Sequence, residues 1–533
     1  MTGGQPIMRD IKMRNRTRIA NFNVLSLLAA AMLSCVLAGC VVGPKYHAPA
    51  TPAPPTYKES PANVVQKTPA PPPADLSSDP TLGGLGLWTV AKPQDAMLRG
   101  KWWEIYNDPE LNALEEQLSV NNQNIKQSFE NFMAARAIVR QARAQYFPTV
   151  TAGPSLTGSR TSSNAGSAQS ATSALIDLPI DATWQPDLWG KIRNTVRQAQ
   201  YKAQLSAADL ESERLSEQAS LATFFFELRG QDALQQILDA TVAADRKSLE
   251  LARATYETGV SNQLAVVQAQ TTLESAQALA TNLGVVRAQY EHAIATLIGK
   301  PASEFSIPVR ASLITPPSIP VGLPSQLLER RPDIAGAERT LAAANAQIGI
   351  AYAAYYPNIT ISAAGGFTSS TWRHLLEWPS RFWSVGPSAS ETIFDAGLRR
   401  ATVNQYVATY NANLAGYRQT VLTAFQQVED ALSTLRILTD QIQQQKRAVD
   451  SAKLALDLEM NRYENGLDPY VDVVIQQNTL LSAQQTLTQI EIQRVTASVQ
   501  LIQALGGGWD RSQLPTPQQI TEKPAQADTK LQQ

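Results

Sequence analysis

The sequence holds little of what catalytic and ligand-binding sites are usually built from. Its 533 residues include two cysteines and three histidines. His47, His292 and His374 each lack a second histidine at ligand spacing, which argues against a metal site or a histidine-based triad. No phosphate loop, nucleophile elbow or Cys/His cluster occurs, so neither a reaction nor a cofactor is expected. Charge is sparse as well: 17% of residues are charged and the formal net charge is -1. Such a balance offers no electrostatic footprint for nucleic acid. After residue 42 no apolar run approaches the roughly 20 residues of a membrane-spanning helix. A mature chain that crosses a membrane must then do so as strands closed into a barrel.

The one long apolar run is N-terminal. Arg9, Lys12, Arg14, Arg16 and Arg18 precede Ile19 to Leu37, and the segment ends Leu37-Ala38-Gly39-Cys40. A signal anchor is the plain alternative, but an ordinary signal has no cysteine after its small residues. Leu-Ala-Gly-Cys resembles the bacterial lipobox, in which the cysteine is acylated and becomes the new N-terminus. That resemblance implies a signal peptide over 1–39 and N-acyl and S-diacylglycerol lipid on Cys40. Val41 stands where lipoproteins retained at the inner membrane often carry Asp, which implies sorting to the outer membrane. Cys35 leaves with the signal, so the mature chain has no internal disulfide. Residues 40–100 are rich in Pro, Ala, Ser and Thr and read as an extended leader. The ordered body is expected from Trp102-Trp103, with Asp108-Pro109-Glu110-Leu111 opening a helix.

Proline is missing between Pro186 and Pro301, between Pro387 and Pro469, and between Pro469 and Pro515. These spans are dense in good helix formers. Val428, Leu432, Leu435, Leu438 and Ile442 recur at three- and four-residue steps, as do Leu480, Ala483, Leu487 and Ile490. This is the narrow seam of a coiled coil. A helix from about Gly190 to Glu257 would be on the order of 100 Å long at 1.5 Å per residue.

Short segments between the helices alternate with period two. Val150, Ala152 and Leu156 alternate with Thr149, Thr151, Ser155 and Thr157; Ile176, Leu178, Ile180, Ala182 and Trp184 alternate with Asp177, Asp181 and Thr183. Ile359, Ile361, Ala363 and Phe367 alternate with Thr360, Ser362 and Thr368, and a looser pattern runs from Trp383 to Phe394. One apolar and one polar face suits a strand between lipid and water. Alternation alone fits a half-buried soluble sheet equally well. Trp184, Trp189, Trp372, Trp378 and Trp383 near the segment ends favour the membrane, whose interface tryptophan prefers.

The chain also repeats itself. YETGVSNQLAVVQAQTTLESAQ starts at Tyr256 and YENGLDPYVDVVIQQNTLLSAQ at Tyr463, an offset of 207 (463 − 256). The same offset carries Gly190 to Gly397 and Gly299 to Gly506, and AQYFPTVT maps onto AYYPNIT at 209 (357 − 148). Each half reads helix, strand, strand, helical hairpin, with the first repeat at 101–310, the second at 311–510 and a disordered tail at 511–533. Four strands per chain cannot close a barrel, because the smallest known need about eight. Open edges therefore demand partner chains. Two chains would give eight strands, filled by side chains; three would give twelve, wide enough for a lumen.

Cys40-Val41-Val42-Gly43-Pro44-Lys45-Tyr46, Trp102-Trp103 with Asp108-Pro109, and Leu327-Leu328-Glu329-Arg330-Arg331-Pro332-Asp333-Ile334 resemble the NodT-type lipoprotein branch of the TolC-like outer-membrane factors, within the outer membrane efflux protein family. The resemblance covers nearly the whole mature chain. It implies a mixed α and β membrane protein: a homotrimer with a twelve-stranded transmembrane β-barrel and a long periplasmic α-helical barrel. It also implies an outer-membrane channel for small toxic compounds, coupled to a periplasmic adaptor and an inner-membrane pump, commonly of the RND class. The duct of a type I protein secretion system is the alternative; a structural coiled-coil stalk would need neither paired strands nor duplicated tips.

Two sites follow. Tyr256-Glu257-Thr258-Gly259 and Tyr463-Glu464-Asn465-Gly466 sit where a hairpin reverses, and Gly259 and Gly466 allow the left-handed backbone of such a turn. They are helix caps at the least; the resemblance implies the adaptor-docking tip. Asp472 matches the first aspartate of a D-x-x-D pattern of some family members, and Ile475 replaces the second. A ring of Asp472 carboxylates in an oligomer would form a cation-favouring periplasmic gate, although a lone Asp on a helix is more often simply solvated.

Overall fold

The computed structural model describes residues 41–50, 53–54, 56–59, 100–160, 162, 164, 172–311, 314–317, 319 and 324–522. Cys40, the segment 1–39 expected to be a signal peptide, most of the expected leader and residues 523–533 lie outside the described residues. The elements are α1 (Pro109–Asn121), α2 (Gln123–Ala144), β1 (Thr149–Ala152), β2 (Ser155–Arg160), β3 (Thr172–Trp184), α3 (Lys191–Glu257) and α4 (Gln263–Leu297). They continue with α5 (Pro324–Arg330), α6 (Pro332–Ala353), β4 (Asn358–Ser369), β5 (Arg381–Ser390), α7 (Leu398–Glu464), α8 (Tyr470–Ala504) and α9 (Pro517–Thr521).

The duplication is visible element by element. α3 and α7 are both 67 residues long, α4 and α8 are both 35, and α2 and α6 are both 22. The starts of α3 and α7 differ by 207 (398 − 191), the offset of the sequence repeat. Helices of this length need tertiary partners along their whole course. The spaced apolar residues supply them: Val428, Leu432, Leu438 and Ile442 are all buried on one side of α7.

Contacts divide the chain into two units. One comprises residues 1–49, 134–203 and 339–415 and contains the sheet. Its strands are antiparallel in the order β1-β3-β4-β5, with β2 also on β3. β1 and β2 thus act as one strand broken at Gly153-Pro154, where proline has no N–H for the ladder. β5 ends at Ser390, four residues short of the expected Phe394 (394 − 390). There Asp395 accepts from the Gly397 N–H at 3.0 Å and pairs with Arg399 Nε at 2.7 Å, while Arg399 Nη2 donates to Thr392 O. The first half turns from strand to helix in a related way: Asp187 accepts from the N–H groups of Ile192 and Arg193 and pairs with the Arg193 guanidinium. Gly190 and Gly397, at φ 79° and 89°, supply the left-handed residue of each turn.

The same unit holds the leader's first described stretch. Val42 donates to Trp189 O at 3.2 Å, Asn345 donates to Pro44 O at 3.0 Å, and Gly43 lies against the Gly349 backbone so closely that an added Cβ would sit 2.7 Å from its Cα. Residues 42–44 of the leader thus lie against Trp189 and α6.

The second unit comprises 50–133, 204–338 and 416–533. Its main core gathers Trp102, Trp103 and Tyr106 with Leu111 and Leu118 of α1, Phe225 and Leu228 of α3, Ile294 of α4 and Val499 of α8. The Leu-Leu-Glu-Arg-Arg-Pro-Asp-Ile motif clasps the end of α8. Arg331 Nη1 donates to Ala504 O at 3.0 Å, Arg331 pairs with Asp333, and an added Cβ on Gly506 would fall 2.0 Å from Arg330 O. The tail expected at 511–533 departs from that expectation through Glu522. Thr516 and Gln519 form a capping box at α9, Ile520 is buried, and Gln204 donates to Pro515 O at 2.9 Å.

Candidate channel wall and hairpin tips

The register of the sheet sorts its residues onto two chemically distinct faces. Val150, Ile180, Trp184, Ile361, Ala363, Phe367, Trp383 and Val385 share one face; Thr151, Asp181, Thr183, Thr360, Ser362, Ser384 and Ser388 share the other. The apolar face is not a core. Ile180 is 59% exposed, Val385 68% and Trp383 81%. An apolar face this continuous marks a surface meant for lipid or a partner. No described helix is long and apolar enough to cross a membrane. Both outer strands, β1/β2 and β5, have one side unpaired among the described strands.

The four tryptophans do not form one cluster. Trp184 ends β3 opposite Ile361 and donates Nε1 to Tyr146 O at 2.9 Å. Trp372 and Trp378 lie in the β4–β5 connection, with the Arg381 guanidinium over the Trp378 ring, and Trp383 sits opposite Gly365 in the body of the sheet. Along β4 the Trp184 partner Ile361 and the strand end at Ser369 are eight residues, or about 26 Å, apart (369 − 361), and the Trp383 partner Gly365 lies midway between them. Exposed Phe147, Tyr355 and Tyr356 join Trp184 at its end of the sheet. Sequence reading did not single them out, although the repeated Tyr-Phe-Pro and Tyr-Tyr-Pro carried the signal.

At the hairpin ends the two repeats build the same turn. Gly259 (φ 77°) donates to Tyr256 O at 3.0 Å and Val260 to Thr255 O at 2.9 Å; Gly466 (φ 70°) donates to Tyr463 O at 2.9 Å and Leu467 to Arg462 O at 2.9 Å. These are the paired bonds of a Schellman motif with glycine at the left-handed position. Asn262 then caps α4, accepting from Ala265 N–H at 3.2 Å. The tips are neighbours: both line a cavity of about 310 Å3 that includes Val260, Leu264, Tyr463 and Tyr470. Just behind it Leu249, Ala252, Ala269, Leu273, Tyr470 and Val473 form a shared core. Tyr463 packs edge-on against Tyr470, whereas Tyr256 is half exposed.

Asp472 lies in the first turn of α8, its N–H bonded to Pro469 O at 3.1 Å, where a carboxylate complements the helix dipole. It is half-buried and Ile475 is exposed, both away from the Tyr470–Val473 side that faces the shared core. A second acid nearby escaped the sequence reading. Asp468 pairs with Arg462, whose Nη2 donates to Oδ1 at 2.9 Å, and this hydrogen bond holds the Asp468 carboxyl below its usual range.

A buried ionic lock was also missed. Asp232 is fully buried and accepts from Arg229 Nη1 at 2.9 Å, Arg287 Nε at 2.7 Å and the Arg310 N–H at 3.0 Å. Arg229 also pairs with Glu110 and donates to Pro308 O at 2.7 Å; Arg287 donates to Ile307 O at 2.7 Å, and Arg310 pairs with Asp108. Asp108 therefore does two jobs, since it also caps α1 through the N–H groups of Glu110 and Leu111.

The architecture has known counterparts. The antibiotic efflux pump outer membrane protein ArpC of Pseudomonas putida is 31% identical over 491 residues, covering 91% of this chain and 96% of its own. The solvent efflux pump outer membrane protein SrpC of Pseudomonas putida is 32% identical over 415 residues, covering 77% and 88%. Among solved structures, the outer-membrane channel OprN matches with a TM-score of 0.75 at 29% identity, over 88% of this chain and all of that one. Residues 114–300 and 323–507 both match the outer membrane efflux protein model, one segment in each repeat. On these grounds the chain belongs to the outer membrane efflux protein family.

Proposed function

We propose that this protein is the outer-membrane channel of a tripartite efflux system and passively conducts small toxic compounds to the exterior. The observation that carries the reading is the sheet: one exposed apolar face, one polar face, and two open edges. Three copies joined edge to edge give a twelve-stranded barrel with lipid outside and water within. The repeats at 101–310 and 311–510 each contribute two strands and one hairpin, and the hairpins of the trimer form a periplasmic helical barrel. Acylated Cys40 anchors each chain in the outer membrane.

The tips around Tyr256, Gly259, Tyr463 and Gly466 dock a periplasmic adaptor that links the channel to an inner-membrane pump, of the RND class in this reading. Asp472 rings the narrow end as the gate, with Ile475 making the next level hydrophobic. The names of ArpC and SrpC, an antibiotic and a solvent efflux component, favour small-molecule cargo over type I protein secretion. Deleting the gene tests this. Sensitivity to antibiotics and organic solvents should rise and return to normal on complementation; an unchanged profile with a lost secreted protein would replace efflux by secretion.

A further inference from the structure

Behind the hairpin tips, α3, α7 and α8 line an open cavity of about 710 Å3, within the size range of small-molecule sites. It adjoins the tip cavity, with which it shares Glu464, but Asp245, on its α3 wall, precedes Gly259 by about four helical turns, on the order of 20 Å. Asp245 is 1% exposed, lines the cavity, and neither of its carboxylate oxygens accepts a hydrogen bond from a described group. Gln477 of α8 donates its amide to Ser248 Oγ at 3.1 Å and leaves Oε1 without a donor among the described residues. Ile237, Leu251, Leu456 and Leu480 provide apolar walls.

The other ionisable groups lining the cavity are Lys247 of α3 and Glu464 of α7; α8 adds only the amides of Gln477 and Gln484. Nearby Tyr470 has its phenol pushed up to about 12, chiefly by burial, and so stays neutral. Two buried acceptors without donors are costly in themselves. They complement a ligand that brings N–H donors and positive charge on an apolar body. A bare divalent ion does not suit apolar walls with a single buried carboxylate, because such ions gather six or more oxygens.

We propose that this cavity binds a small organic amine cation, its ammonium group donating to Asp245 and to Gln477 Oε1. The site is independent of the channel reading and of the Asp472 gate. Burial pushes the Asp245 carboxyl up to about 6, so acidification through that value neutralises it and releases the cation.

Isothermal titration of the full chain in detergent with phenethylamine tests the site, with 2-phenylethanol as the neutral counterpart. The amine should bind at about pH 7.5 and weaken markedly at about pH 5. Asp245→Asn should lower affinity about tenfold or more, the scale of a lost charge-assisted hydrogen bond. Gln477→Leu should weaken binding less, and Asp472→Asn should leave it unchanged. Absence of amine binding at millimolar concentration, equal binding of the alcohol, or affinity indifferent to pH would each overturn the proposal. If Asp245→Asn does not accumulate as folded protein, the wild-type pH dependence and Gln477→Leu decide the matter.

Discussion

Asp232→Ala should unlock residues 301–311 and leave the long helices intact. This segment carries one short 310 turn, at Ala302–Glu304, and is held to α3 and α4 largely by side chains. Asp232 balances Arg229, which is 1% exposed, and Arg287, and it also takes the Arg310 N–H. Without it Arg229 keeps, among the described residues, only Glu110 as a counter-ion, and the guanidinium groups that grip Ile307 O and Pro308 O lose their orientation. Removing one partner from a buried ion pair costs about 3–5 kcal/mol. If about 3 kcal/mol of that falls on local opening, exchange protection drops about a hundredfold, at a tenfold change per 1.4 kcal/mol. Hydrogen exchange read by mass spectrometry on a peptide spanning 301–311 measures this directly. Asp232→Asn, which keeps one acceptor oxygen, should fall between the two. Protection in Asp232→Ala within about threefold of wild type would refute the view that the lock, rather than apolar packing, holds the segment.

Glu115 gives a pH test. Burial alone raises its carboxyl well above the usual range, and neither oxygen has a hydrogen-bond partner among the described residues. Its protonated form is favoured by folding, so stability is greatest below the unfolded glutamate pKa and declines as pH rises toward the raised folded value. Glu115→Gln should raise the melting temperature at about pH 8 and change it little at about pH 4; the reverse order would contradict the burial argument. Gly506→Ala and Gly466→Ala separate space from backbone strain. The first places Cβ 2.0 Å from Arg330 O and should prevent accumulation of folded protein; the second has open space around it and should cost only about 1–2 kcal/mol of left-handed strain, read as faster exchange at the tip. On the sheet, Ile180→Lys puts charge on the apolar face and should cost about 2–4 kcal/mol of barrel assembly, whereas Ser384→Lys on the polar face should be tolerated in an outer-membrane fractionation assay.

The long helices were legible because their seam residues repeat and because the whole hairpin is written twice; the 207-residue offset recurs in the helix bounds themselves. The sheet faces were legible for a similar reason, since alternation is local and Thr360, Ser362, Ile359 and Ile361 already separate in the sequence. The tips announced themselves through glycine at the left-handed cap position after Tyr-Glu. What escaped depends on distance along the chain. Asp232 and Arg287 are 55 residues apart and Asp108 and Arg310 are 202 apart, so no spacing rule links them. Asp245 looks in sequence like any solvated helix acid, and only the packing of α3 against α8 reveals its burial. The interruption at Gly153-Pro154 hid as well, because β1 and β2 share one partner strand whose own pattern is unbroken.

The central claim is that open-edged sheets of this chain close with one another around a water-filled lumen. The most direct measurement is the native mass of the detergent-solubilised protein with its membrane domain intact. Three chains per particle, with the twelve strands that implies, is the predicted result. A monomer, or a dimer whose eight strands would leave no lumen, would contradict it.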